Sequence, residues 1–142
     1  MSQIAANIIA LKQSLHPSVR LVAVSKTRPV ADIMEAYNTG QRCFGENRVQ
    51  EILSKKDYLP ADVEWHLIGH LQRNKIKLIV PFVSMIQSVD SLRLLSAIDS
   101  EASKINRIVD ILLQMHIARE ETKFGFNWEE IEAMMLSPEL KE

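Results

Sequence analysis

The sequence predicts a parallel α/β fold built from successive strand–helix units, and two observations predict it. Five apolar runs alternate with helical patterns along the chain, and each run is close to continuously apolar instead of alternating. Strands of that composition are covered on both faces, as in a parallel sheet flanked by helices. The second observation is spacing. Each strand–helix unit occupies about thirty residues, the size of one unit in a (β/α)8 TIM-type barrel of ~250 residues, so the chain carries about the first five units. A doubly wound open sheet is the alternative architecture. Against it, no G-x-G-x-x-G or G-x-x-x-x-G-K-[ST] phosphate loop follows any of the runs.

Taken in order, the amino terminus reads as a helix with Ile4, Ile8, Leu11 and Leu15 at helical spacing, and Gln3, Asn7, Lys12 and Gln13 break any signal-peptide core. The first apolar run is Val19 to Ser25. A helix follows from about Pro29, a residue suited to a first turn; it carries Ile33, Met34 and Tyr37 inward and stops at Gly40. The second run, Arg42 to Gly45, leads into a helix opened by Glu46-Asn47-Arg48, with Val49, Ile52 and Leu53 on one side. The third, Val63 to His70, leads into a helix over Leu71 to Val80 that Pro81 ends. The fourth, Phe82 to Asp90, precedes a helix with Leu92, Leu95 and Ile98 at helical spacing. The fifth spans Arg107 to Ala118, with Ile111 to Met115 as the strand proper. Asn127 then caps a last helix with an acidic first turn. At this length the elements make a single domain over 1–142.

Composition narrows the class. The chain is 46% hydrophobic and 25% charged, ordinary values that exclude disordered and fibrous classes. With 17 basic and 18 acidic residues the net charge is −1, so no footprint for nucleic acid or an anionic membrane is expected. Arg73, Lys75 and Lys77 with Lys55 and Lys56 are a candidate basic patch for RNA, but without aromatic interleaving they read as a solvated helix face. Cys43 is the one cysteine, which rules out a disulfide framework and points to the reducing cytoplasm. No apolar run is long enough to span a bilayer. "NIIALKQSL" lacks the basic polar face of a membrane-surface helix and reads as a packing helix.

Function in parallel α/β folds sits at the carboxyl ends of the strands. Those ends carry Lys26, then Glu46 and Asn47, then His70, then Ser88 and Asp90, then His116. All are polar. In "RLVAVSKTRP" a lysine stands where an ordinary turn carries Gly, Asn or Asp. Beside low-dielectric strand walls the charged form of an ammonium is disfavoured, and a neutral amine condenses with an aldehyde or ketone to a Schiff base. Pyridoxal phosphate is the commonest aldehyde cofactor held in this way. The alternative is a lysine that snorkels to solvent from a strand end. His66 and His70 are four apart, which on a strand is roughly 13 Å, too far for one metal ion. The Glu of a helical H-E-x-x-H site is missing as well, so no metal site is expected. His66 reads as a core histidine, whereas His70, past Gly69, is placed to meet a ligand.

Five blocks, "AVSKTRP", "FGENRVQE", "WHLIGHLQRNK", "QSVDS" and "AREETKFGF", occur in this order between Leu21 and Phe126. Together they resemble the YggS-like pyridoxal phosphate homeostasis protein family, whose members are similar to the N-terminal barrel of alanine racemase. The resemblance implies a TIM-type barrel related to the alanine racemase N-terminal domain, with 1–142 a pyridoxal phosphate-binding barrel domain truncated on its C-terminal side. It implies that Lys26 bonds pyridoxal phosphate, that Asn47 lies against the cofactor, and that "HLQRNK", adjoining His70, borders the site. With the strand-end residues Ser88 and His116 these make the expected cofactor-binding set. His116 stands where many family members have Asn in "QVN". Glu120, Glu121 and Lys123 match a block expected to make loop and subunit contacts. Family members continue with a "GLM" strand, an "SMGMS-x-D" segment and a late Arg-x-G block that hold the phosphate and ring nitrogen, and none occurs here.

The implied role is intracellular pyridoxal phosphate homeostasis, in which the cofactor is held and delivered to apoenzymes that need it, with no substrate turned over. The alternatives are an amino-acid racemase or decarboxylase using the same Schiff base, a Schiff-base aldolase without cofactor, and a non-catalytic interaction module. No tyrosine or cysteine falls at an expected strand exit to serve as a second racemase base. Open edges at Val19 to Ser25 and at "ILLQM" lead us to expect self-association.

Overall fold

Each apolar run forms a strand; four of the five strands are shorter than their runs, and the second keeps four residues but lies one position further along. The computed structural model describes residues 1–117 and 125–138, and the chain divides into two compact units, Met1–Gly69 and His70–Glu142. Glu120, Glu121 and Lys123 lie outside the described residues.

The amino-terminal unit runs α1 (Gln3–Ser14), β1 (Ala23–Val24), α2 (Val30–Asn38), β2 (Cys43–Glu46), α3 (Val49–Lys55) and β3 (Glu64–Leu67). Its strands pair in parallel in chain order, with Val24 opposite Gly45 and Gly45 opposite His66. β2 is buried throughout and β3 nearly so, as strands of a parallel sheet covered on both faces are, with Glu46 and His66 among the buried residues. Phe44 and Trp65 pack with ring centroids 6.3 Å apart, and Ile33, Ile52 and Leu67 complete this core. Burying such side chains contributes about 1.5–3 kcal/mol each. Pro29 is the N-cap of α2, and Gly40, at φ 84°, supplies the left-handed residue that ends it.

β1 is the shortest strand, and a side chain explains why. The buried Gln41 amide donates to Leu21 O at 2.8 Å and to Cys43 O at 2.6 Å. Leu21 therefore meets the neighbouring segment through a side chain instead of a backbone ladder. Val19 N donates to His16 O across a turn, so the expected strand from Val19 to Ser25 contracts to Ala23–Val24.

The carboxy-terminal unit runs from a 3-10 turn (Arg73–Lys75) into one-turn α4 (Ile76–Ile79), then β4 (Met85–Val89), α5 (Leu92–Lys104), β5 (Asp110–Leu113) and α6 (Trp128–Leu136). β4 and β5 pair in parallel, with Ile86 opposite Ile111. The helix expected over Leu71 to Val80 is thus mostly 3-10 turn and α4; Ile76, Ile79, Val80 and Val83 bury, while Gln72, Arg73 and Asn74 stay in water. On α5 the buried stripe is Leu94, Ile98 and Ala102, and Leu92, expected to face inward, is exposed. The Ser91 side chain accepts from Leu94 N and fixes that phase. Asn127 and Glu130 form a reciprocal capping box on α6. β5 opens on the exposed Asp110, so its edge is less uniformly apolar than its run suggests. No helix among the described residues is long and apolar enough to cross a membrane.

Cys43 offers a check on the first core. It is 3% exposed, and burial pushes its thiol up to about 11. Only the thiolate alkylates. Iodoacetamide at pH 8 should therefore modify the native chain at least tenfold more slowly than the chain in urea, as read by intact mass. Equal rates would contradict this packing.

Candidate functional site

The carboxyl end of β1 is drawn into a four-residue turn. Ser25 N donates to Gly45 O at 2.9 Å, continuing the sheet, and Arg28 N donates to Ser25 O at 3.0 Å, closing the turn. Lys26 and Thr27 are its central residues. Thr27 has φ 63°, a left-handed conformation that a β-branched side chain rarely adopts and that costs on the order of 1–3 kcal/mol. Lys26 is exposed and has no hydrogen bond or ion pair among the described residues. This differs from the expectation of low-dielectric walls beside its amine. β1 ends two residues earlier, which leaves Lys26 on the turn beyond the sheet. Its availability rests on the absence of a partner more than on desolvation.

Beneath the turn lies a buried charge cluster. Glu46, the last residue of β2, is fully buried, and Lys55, the last residue of α3, is 8% exposed. Lys55 Nζ donates to Glu46 Oε1 at 2.7 Å, to Glu51 Oε2 at 2.9 Å and to Ser25 O at 3.0 Å. All three ammonium protons are used. Ser25 Oγ donates to Glu46 Oε1 at 2.7 Å, and Thr27 N donates to Glu51 Oε2 at 2.8 Å. The cluster therefore grips the residues on both sides of Lys26.

The electrostatics follow from these contacts. Burial pushes the Glu46 carboxyl above its usual range, with the Lys55 and Ser25 hydrogen bonds opposing. Glu46 Oε2 is buried without a partner among the described residues. Hydrogen bonds from Lys55 and then from Thr27 N–H hold the Glu51 carboxyl below its usual range. Burial works against the charge on Lys55, but its bonds to Glu46 and Glu51 outweigh that and raise its pKa. Lys55 is thus a tethered ammonium, and the earlier placing of it on a solvated face is corrected. The signal was present in the sequence: Lys55 lies three residues past Ile52, on the buried side of α3, and four past Glu51.

Asn47 follows Glu46 and is half-buried. A Cβ on Gly69 would lie 2.2 Å from Asn47 O, so only glycine lets the exits of β2 and β3 approach this closely. Ile68 N donates to Glu46 O at 2.9 Å and secures the same junction. Lys26 and Asn47 therefore stand on neighbouring strand exits. His66 is buried within β3, as a core histidine should be.

In the carboxy-terminal unit His70 is half-exposed and its Nδ1 lies 3.2 Å from Asp90 Oδ2, a side chain only 9% exposed. His70, Arg73, Asp90 and Arg93 line a cleft of about 480 Å3. Ser88 is buried inside β4, so the residue at the exit of that strand is Asp90. His116 follows β5. Its N donates to Phe126 O at 2.8 Å, and its Nε2 is buried without a partner among the described residues. A Cβ on Gly125 would lie 2.5 Å from His116 N, which reserves that position for glycine.

Serial parallel β/α modules with an available lysine at the exit of the first strand define a lysine-bearing protein of the (β/α)-barrel class. The family model for the N-terminal domain of alanine racemase matches residues 1–141, and the chain belongs to that family. The pyridoxal phosphate homeostasis protein of Synechocystis sp. is 43% identical over 120 residues, covering 83% of this chain and 55% of that protein. Its counterpart from Aquifex aeolicus is 41% identical over 116 residues, covering 81% and 51%. Among solved structures, PipY of Synechococcus elongatus PCC7942 with PLP bound matches at TM-score 0.89 and 40% identity, covering 99% of this chain and 65% of that one. Alanine racemase from Bartonella henselae, 19% identical at TM-score 0.78 over 97% of this chain and 39% of its own, shares the fold. The chain spans about half the length of the curated relatives it matches.

The cluster can be tested without a cofactor. Lys55→Met leaves the Glu46 carboxylate buried and unpaired, which should cost about 3–5 kcal/mol in urea denaturation. Adding Glu46→Gln removes the orphaned charge and should recover most of that loss. A double variant as unstable as the single one would show that the charges do not act as a pair.

Proposed function

We propose that this chain binds pyridoxal 5'-phosphate through Lys26 and takes part in intracellular pyridoxal phosphate homeostasis, in the cytoplasm, supplying apoenzymes that require the cofactor. The observation that carries the reading is the amine itself: Lys26 is exposed, without a partner among the described residues, and set on a turn held from below. PipY with PLP bound and the relatives named pyridoxal phosphate homeostasis protein support it. The lysine Nζ lone pair attacks the aldehyde carbon, a Schiff base C=N bond forms and water leaves; hydrolysis returns the free aldehyde and amine. That reversibility suits a carrier.

Racemisation needs acid–base groups placed on both faces of the ring. Tyr37 lies in α2, Tyr58 in the 3-10 turn Lys56–Tyr58 and Cys43 at the amino end of β2, and these positions favour the carrier over the racemase. Asn47, at the exit beside Lys26, belongs to the proposed cofactor-binding set, as do His70, Ser88 and His116. A single barrel domain over 1–142 and self-association of the chain are further parts of this proposal.

Borohydride reduction in the presence of pyridoxal phosphate should place the adduct on the peptide containing Lys26, and Lys26→Ala should abolish it. An adduct spread evenly over surface lysines would sink the reading.

A phosphate dianion is held by backbone N–H groups or an arginine fork, at about 1.5–3 kcal/mol per charged hydrogen bond. We expect residues 1–142 to bind pyridoxal phosphate at least tenfold more weakly than a version extended to the relatives' length, by absorbance titration. Equal affinity would place the phosphate contacts within these residues.

A further inference from the structure

We infer that Glu51 and Lys55, with Glu46 beneath them, are positioning residues for Lys26: they impose the conformation of the 25–28 turn and keep its amine unpaired. The inference rests on the reading of Lys26 as the cofactor lysine. The turn does not favour this shape by itself. Its one internal hydrogen bond, Arg28 N to Ser25 O, leaves Lys26 and Thr27 other conformations, and Thr27 at φ 63° is strained. Three contacts from outside the turn select it. Glu51 accepts from Thr27 N, Lys55 donates to Ser25 O, and Glu46 accepts from Ser25 Oγ. None of them touches Lys26.

The same atoms decide which lysine is reactive. Two amines lie near the exit of β1. Lys55 spends all three protons on Glu46, Glu51 and Ser25 and is held as an ammonium. Glu51 Oε2 already accepts from Lys55 Nζ and Thr27 N, which engages both lone pairs of that oxygen. The cluster therefore silences one amine and leaves the other open to an aldehyde.

Glu51 is the member to change, because its side chain is 25% exposed and its loss leaves the Glu46–Lys55 pair intact. In the full chain, Glu51→Ala should keep the far-UV circular dichroism and urea midpoint close to those of the parent. The Thr27 amide should then exchange with solvent at least tenfold faster, a readout that needs no cofactor. The share of borohydride-trapped pyridoxal phosphate found on Lys26 should fall at least threefold. Glu51→Gln keeps an oxygen that accepts from Thr27 N–H and should restore both quantities toward the parent. The Glu46→Gln/Lys55→Met pair keeps the interior neutral, releases Ser25 O and should lower the Lys26 share likewise. Unchanged Thr27 exchange and an unchanged Lys26 share in Glu51→Ala would overturn the inference, as would a Gln variant no better than Ala. Absence of the adduct from Lys26 in the parent defeats the cofactor reading instead, and Thr27 exchange then decides whether the turn is held.

Discussion

The ammonium of Lys55 is the point on which the amino-terminal unit turns. One side chain from the end of α3 reaches a carboxylate at the end of β2, a carboxylate one helical turn back, and the backbone carbonyl at the end of β1. Three elements that pack by non-directional burial are thereby registered to one another by directional bonds. A buried ion pair of this kind is weak evidence for stability, since an apolar replacement of equal volume is often as stable. What the charges add is geometry. An apolar filler would leave Ser25 and Thr27 to find other partners.

That geometry separates two lysines that composition treats as equal. Lys26 and Lys55 carry the same functional group, and burial would ordinarily make the enclosed one the better nucleophile. Here the enclosed lysine is matched by two carboxylates and stays charged, while the exposed lysine is left alone. Partner count outweighs solvent access. Lys26, the lysine of the "AVSKTRP" block, is the one the cluster leaves uncommitted.

Much of this was legible in the residues. Predominantly apolar runs gave the parallel strands, Pro29, Gly40 and Asn127 marked helix ends, and a lysine in place of a turn former marked the exit of β1. The failures share a cause. Lys55 was assigned by the charge pattern around it, and no local pattern shows that Glu46, on a strand, comes to meet it. The contraction of β1 depends on the Gln41 amide standing in for a ladder bond twenty residues away. The stripe of α5 was misphased because Leu92 and Leu94 fit two overlapping spacings, and the Ser91 cap chooses between them. Each miss is a side chain meeting backbone or charge, locally at Ser91 and between elements at Gln41 and Lys55, a class of contact that periodicity does not encode.

The hydrogen bonds that set the lysine turn join residues no more than 30 positions apart. Closing loops of that length costs entropy that grows only slowly with further length. Every group involved lies between Ser25 and Lys55, so the shape of the turn is set by residues of the amino-terminal unit. Variation in segments beyond Lys55 therefore leaves every one of these hydrogen bonds with both of its partners.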